Sequence, residues 1–252
     1  MKFASLGSGS RGNATIVESG ESTILIDCGF SLKETERRLT MLGHEAALLD
    51  AILVTHEHSD HVRGVGPLAR KHKVPVWTTR GTAGKADWGD IPELNQIDVH
   101  HILNIQDMEI QPFPVPHDAR EPCQFVISDG NKRLGMLTDT GSLTSHIEEQ
   151  LSGCDALLLE CNHDEAMLAS GSYPPSLKDR VGGKFGHLSN RQSAELLAKL
   201  DTSRLTHIVA AHLSEENNSP DLARWALSDV LGCEASWIQV AKQDSVLDWC
   251  IV

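Results

Sequence analysis

Short apolar runs separated by turn residues dominate the first third of the chain, which is a β pattern. Residues 2–6, 13–18 and 22–27 are rich in apolar and β-branched side chains, and Ser19-Gly20-Glu21-Ser22 reads as a hairpin turn. A helix is predicted over 31–42, with Leu32, Leu39 and Leu42 on one side and Gly43 as its stop. A buried strand at 51–55, a helix at 61–72 and a strand at 74–77 follow. The middle reads as β again, at 99–103, 108–115, 123–128 and 133–138. Helices at 143–151, 189–200 and 220–231 then alternate with strands at 156–160 and 206–211, and strands at 236–241 and 245–250 close the pattern. Hairpins followed by βα units, twice over, predict an α/β protein: an αββα sandwich of two mixed sheets with helices outside, with 1–252 as a single domain. In that layout, loops at one edge of both sheets converge.

Composition narrows the function. The 252 residues are 40% hydrophobic, enough for one large core. Lys and Arg number 22 against 35 Asp and Glu, a net charge of −13. That balance excludes a broad basic face for nucleic acid but leaves room for a local cationic site. No uninterrupted apolar stretch approaches the roughly 18 residues of a membrane span, so no membrane partner is expected. The opening Met1-Lys2-Phe3-Ala4-Ser5 lacks the apolar core of a signal peptide. Six scattered cysteines without a CxxC pair read as reduced thiols, and a cytoplasmic location is expected.

Gly7-x-Gly9-x-x-Gly12, with Asp27 further on, matches a dinucleotide-binding fingerprint. That fingerprint must lead into a helix, whose N-terminus holds the pyrophosphate. Here a β-hairpin follows, so the match is rejected. Two readings stay open: a tight turn, or a loop whose residues, Ser8 and Asn13 among them, approach a ligand.

Of the thirteen histidines, His44, His72, His100, His101, His146 and His207 have no motif context and read as structural or exposed, while the others fall where chemistry is expected. His56-Glu57-His58-Ser59-Asp60-His61 follows directly on a predicted strand. His56 and His58 are two apart and project to one side of extended backbone, while Asp60 and His61 turn away at a helix start. One loop can thus present two ligand pairs to two adjacent ions, and imidazole with carboxylate suits zinc, manganese or iron. Other strand ends should complete the site: His117, Asp139 and His212 each follow an apolar run. A carboxylate buried at such a place needs a partner or a metal.

This set, in this order and approximate spacing, resembles the metallo-β-lactamase fold superfamily. The resemblance implies two divalent ions, zinc or manganese. His56, His58 and His117 would hold one, Asp60, His61 and His212 the other, and Asp139 would bridge. Glu160-x-Asn162-His163-Asp164, Gly186-His187-Leu188-Ser189-Asn190 and His212-Leu213-Ser214 resemble the phosphodiesterase branch that contains ribonuclease Z. There a pair matching Glu160 and His187 assists proton transfer at the leaving oxygen. Closer still, and over nearly the whole chain, is the YycJ (WalJ) type. That resemblance implies a nucleic-acid substrate, DNA, degraded from the 5′ end through metal-activated water, with Asp60, Glu160 and His187 as catalytic groups. Ser8, Asn13, His163 and Asn190 are candidate substrate contacts, His163 and Asp164 being alternatively a helix cap. Arg11, Lys178, Arg180, Lys184 and Arg191 are candidates for phosphate contacts. A small cyclic phosphodiesterase, an RNA-processing nuclease and a glyoxalase-type thioester hydrolase share parts of the pattern. Nothing in these motifs specifies an oligomeric state.

Overall fold

Alternate residues of the strands face opposite ways, and three apolar layers result. Phe3, Ile24 and Ile26 point to one layer while Ala4, Leu6 and Leu25 point to another. The computed structural model describes residues 1–252. Its first sheet contains β1 (Lys2–Gly7), β2 (Ala14–Ser19), β3 (Ser22–Ile26), β4 (Ala51–Leu53), β5 (Val76–Thr79) and β6 (Leu94–Ile97). The second contains β7 (Leu103–Ile105), β8 (Met108–Pro114), β9 (Cys123–Ser128), β10 (Arg133–Leu137), β11 (Ala156–Glu160), β12 (His207–Ala211) and β13 (Gln239–Val240). The last strand, β14 (Leu247–Ile251), returns to the first sheet and pairs with β1. Each sheet has seven strands, in the orders β14-β1-β2-β3-β4-β5-β6 and β13-β12-β11-β10-β9-β8-β7. Both are mixed: antiparallel on one side, parallel from β3 to β6 and from β10 to β13.

The helices are α1 (Leu32–Met41), α2 (Ser59–Val62), α3 (Val65–His72), α4 (Arg80–Lys85), α5 (Ser145–Leu151), α6 (Glu165–Ser170), α7 (Pro175–Val181), α8 (Asn190–Leu197) and α9 (Pro220–Leu231). The central layer joins the two sheets through residues such as Phe3, Phe125 and Val209. Leu39 of α1 and Leu68 of α3 cover the outer face of the first sheet. Leu196 of α8 and Leu227 of α9 cover that of the second. This is the αββα sandwich that the periodicity predicts.

Several local expectations needed correction. The helix predicted at 61–72 is two helices, α2 and α3, separated at Arg63-Gly64, where the Gly64 N–H donates to Cys28 O at 2.7 Å. That contact with the β3 exit outweighs continuation of the helix. The strand predicted at 99–103 is mostly the turn between β6 and β7, and β6 itself was hidden by its polar sequence Leu94-Asn95-Gln96-Ile97. Helices α4, α6 and α7 have six, six and seven residues, too short to display a helical period. The strand predicted at 236–241 is a 3₁₀ turn followed by the two-residue β13.

The topology places one edge. β3 and β4 are parallel, as are β10, β11 and β12. β8 reaches the same direction through two antiparallel steps. The C-terminal ends of all six therefore emerge together, carrying Asp27, His56, Asp139, Glu160, His212 and His117.

Candidate metal centre

Three of those strand ends hold a non-glycine residue in the left-handed region: Asp27 (φ 59), Asp139 (φ 51) and His212 (φ 55). Such conformations are sparsely populated and concentrate at functional sites. The 56–61 loop is held by main-chain bonds. Asn13 N–H donates to Asp60 O at 2.8 Å, and Cys28 N–H to His61 O at 2.8 Å. Gly29 permits this packing, because a Cβ there would lie 1.7 Å from Asp60 O.

The structure brings the expected ligands into two groups. Ligand atoms of His56, His58 and His117 lie within 4.8 Å of one another, and so do those of Asp60, His61 and His212. Asp139 sits between the groups, with Oδ2 3.2 Å from His61 Nε2 and Oδ1 3.4 Å from His212 Nε2. Hydrogen bonds orient the rings. His61 Nδ1 donates to Asp27 Oδ2 at 2.8 Å, and Asp27 also accepts from Thr55 N and Thr55 Oγ1, both at 2.9 Å. Thr55 Oγ1, having given its proton, accepts from His56 Nδ1 at 3.0 Å. His117 Nδ1 donates to Gly186 O at 3.1 Å. Each of these rings is left with an Nε2 lone pair facing inward. For His58 the approaching atom is Nδ1, 3.2 Å from His117 Nε2.

The residues fit a metal. His56 Nε2, His212 Nε2 and Asp139 Oδ2 are buried without any hydrogen-bond partner. Unpaired buried polar atoms are costly and rare, and three of them shared between the two ligand groups suit bound cations. The charge states of His56, His117, Asp139 and Asp60 agree, whereas at His61 burial is outweighed by the Asp139, Asp60 and Asp27 carboxylates, which raise it well above the ordinary imidazole range. Burial, then the neighbouring His61, pushes His56 well below the ordinary imidazole range, and burial lowers His117. Burial opposes the charge of Asp139, but the His212 and His61 imidazoles hold it well below the carboxylate range. Asp60 is lowered in the same way, against burial, by His61 and His212.

Beside these groups stands the Glu160–His187 pair. Glu160 is fully buried. Its Oε1 accepts from His187 Nδ1 at 2.8 Å, and its Oε2 from Thr140 N at 3.1 Å and Leu188 N at 3.2 Å. His187 stacks on His212, with ring centroids 5.2 Å apart, and lines the cleft. Burial disfavours its charged form, but the Glu160 carboxylate prevails and raises it to about 9.

The cleft over the site has a volume of about 370 Å³, and Ser10, Ser59, Asn162, Tyr173, Arg180 and Ser214 contribute to its walls. None of the four expected substrate contacts lines it. Ser8 Oγ accepts from His212 N–H at 2.8 Å and donates to Asn13 Oδ1 at 3.1 Å. Asn13 Nδ2 faces Asp60 Oδ2 at 3.2 Å and His61 Nε2 at 3.1 Å. Asn190 Nδ2 donates to Asn218 Oδ1 at 2.8 Å, and His163 is buried behind the site. All four are buried, and for Ser8, Asn13 and Asn190 the side-chain hydrogen bonds are made within the protein. Asp164 caps α6, accepting from Met167 N at 2.9 Å. Of the expected phosphate contacts, Arg11 is bound to Glu215 and Asp244, Arg191 to Glu165 and Glu195, and Lys178 to Ala169 O. Arg180 lines the cleft, its Nε fixed by Asp118 at 2.6 Å. Sequence reasoning missed Asp27 as a site residue, seeing it only within the rejected fingerprint. Like Asp139, Asp27 is a carboxylate at the end of an apolar strand and carries the same signal.

Two stacked mixed sheets with a histidine- and aspartate-rich edge define an αββα metallohydrolase fold. The chain belongs to the metallo-β-lactamase superfamily: the family model described as a beta-lactamase superfamily domain matches residues 22–208. It is 37% identical over 235 residues to exodeoxyribonuclease YycJ of Bacillus anthracis, covering 92% of this chain and 89% of that protein. It is 35% identical over 240 residues to exodeoxyribonuclease WalJ of Streptococcus pneumoniae serotype 2, covering 92% and 88%. Among solved structures, the metallo-beta-lactamase fold protein YhfI of Bacillus subtilis superposes with a TM-score of 0.76 at 18% identity, over 97% of each chain.

Proposed function

We propose that this enzyme is a binuclear metal-dependent phosphodiesterase that degrades DNA from the 5′ end. The observation that carries the reading is the Glu160–His187 pair, set against two groups of metal-ligand type in one cleft. The length and degree of identity to two exodeoxyribonucleases support DNA as substrate. His56, His58 and His117 would hold one divalent ion, zinc or manganese, and Asp60, His61 and His212 a second, with Asp139 shared. When bound, such ions supply Lewis acidity and lower the pKa of water.

The chain's own residues do the rest. Asp27 fixes His61 in the tautomer that turns Nε2 inward. Ser8 and Asn13 tie the first loop to His212 and Asp60, so they position ligands without touching substrate. Asp60 lines the cleft beside His212, where its carboxylate would orient the attacking water. His187, kept protonated by Glu160, gives its Nε2 proton to the departing oxygen, an effect worth about 10²–10⁴-fold. Arg180, with its Nε already engaged by Asp118, offers its remaining N–H groups to a phosphate. All six cysteines are free, which suits work in a reducing compartment such as the cytoplasm.

A small cyclic diester is the second reading. It is favoured by one feature: Arg180 is the one lysine or arginine in the cleft wall. Metal-loaded protein assayed on 5′-labelled single- and double-stranded DNA, RNA, a cyclic nucleotide and bis(p-nitrophenyl) phosphate separates the readings. Progressive release of nucleotides from the labelled 5′ end is expected. Turnover of the cyclic nucleotide with none of DNA selects the second.

A further inference from the structure

A second concavity lies beside the metal edge, across the loop that carries His117. Its walls are Arg80, Gly81, Gly84, Lys85, Arg120 and Glu121, with no hydrophobic residue among them. Arg80, Lys85 and Arg120 are exposed, and none of the three forms an ion pair. Three unpaired cations at one place are unexpected on a chain with net charge −13. Glu121, whose Oε2 accepts from the Gly81 N–H, offsets one of the three charges and leaves the lining with a net positive charge.

The concavity is built rather than accidental. Arg120 N–H donates to Glu57 Oε1 at 2.8 Å, and Thr79 Oγ1 to Glu121 O at 2.8 Å. Glu57, which has no part at the metal groups, therefore anchors the basic loop to the metal loop. Gly81 lets that loop lie directly on α4, because a Cβ there would be 2.5 Å from Glu121 Cβ and 3.0 Å from Arg120 Cγ. Asp118 lines the cleft and Arg120 the concavity, so the two are no more than about 7 Å apart along the backbone. A strand with a phosphate at the metal groups that continued across this loop would meet the three cations within a few phosphates.

We infer that Arg80, Lys85 and Arg120 form a subsite for the phosphodiester backbone of the nucleic-acid strand beyond the scissile phosphate. The inference rests on the phosphodiesterase reading for the placement of the strand. It gives this acidic protein the local cationic contact that its cleft, with Arg180 alone, does not provide.

The test is the triple variant Arg80→Gln/Lys85→Gln/Arg120→Gln, with melting temperature and metal content checking that it folds. Binding of a fluorescent single strand of about 20 nucleotides should weaken roughly tenfold or more, and the slope of log affinity against log salt should shrink by about 2. In turnover, KM for the long strand should rise while the rate on bis(p-nitrophenyl) phosphate, too short to reach the concavity, changes far less. Unchanged strand binding and salt slope in the triple variant sink the subsite, whatever the activity. Inorganic phosphate bound as tightly as the strand would show a free-anion site and also overturn it. A wild-type protein that binds the strand through these residues yet hydrolyses no phosphodiester defeats the functional reading and leaves the subsite standing.

Discussion

At His187, proton donation and substrate positioning make different demands on the leaving group. A deoxyribose alkoxide needs a proton as it departs, whereas p-nitrophenolate barely does. His187→Ala should keep its metal, lose roughly 10²-fold or more in kcat/KM on DNA, and lose much less on bis(p-nitrophenyl) phosphate. Glu160→Gln should follow the same pattern more weakly. Equal losses on both substrates would make His187 a positioning residue, and loss of metal would make it a ligand. Asp27 sets a different kind of prediction. Removing its carboxylate frees the His61 ring and strands the Thr55 N–H. Asp27→Ala should weaken metal affinity by about 10–100-fold, measured by chelator competition. Retention of wild-type affinity in a folded variant would show that Asp27 does not orient His61.

Among elements, the parallel run β10-β11-β12 supplies Asp139, Glu160 and His212 from one end, and its other end is tied by a single carboxylate. Asp155, just before β11, accepts from Arg133 N at 3.0 Å, Lys132 Nζ at 3.2 Å and Arg204 Nη2 at 3.0 Å. It is buried, and burial opposes its charge, yet the Arg133 N–H, Lys132 and Arg204 keep it below the ordinary carboxylate range. A folded value below the unfolded one adds stability that is complete above the unfolded value and fades as pH falls through the folded value. Asp155→Ala should cost about 1–3 kcal/mol in denaturant unfolding at neutral pH, with the difference from wild type narrowing below about pH 4. Metal content should not change, since the residue lies at the opposite end of β11 from the site. A cost that does not narrow in acid would place the effect in packing and not in the charge. Helix α7 shows the opposite economy: it has no buried residue and rests on tethers such as Arg180–Asp118, so cleft-wall substitutions there should act on KM and hardly on stability.

For the molecule as a whole, the proposed ions join the two sheets. His56, His58, Asp60 and His61 come from the first sheet, and His117, Asp139 and His212 from the second. Binding only the folded form, at a thousandfold excess over Kd, each ion would add about 4 kcal/mol. In a chain of this size that corresponds to roughly 8–16 °C in Tm, at about 2–4 °C per kcal/mol. Chelator-stripped protein should melt lower by that order in calorimetry and recover on adding zinc or manganese. An unshifted Tm, together with trace metal in protein purified without chelator, would remove the binuclear reading.

The amino-acid sequence by itself determined the layer architecture and the identity of the ligand-type residues. Burial on one or both sheet faces dictates apolar period, and strand-end His and Asp stand out because such groups are not left buried without a reason. The convergence of six strand ends was legible only as a consequence of that architecture. Tertiary structure decided what local pattern does not encode. It split the 61–72 helix at a contact with Cys28, gave Asp27 to His61, and turned Ser8, Asn13, His163 and Asn190 away from the cleft. It also separated the cations, leaving Arg180 in the cleft, binding Arg11 and Arg191 to neighbouring carboxylates, and gathering Arg80 and Lys85 with Arg120 from a distant loop. The physical reason is common to all of these. Which partner a polar side chain finds depends on what the fold brings within about 3 Å, and those neighbours come from residues far away in the chain.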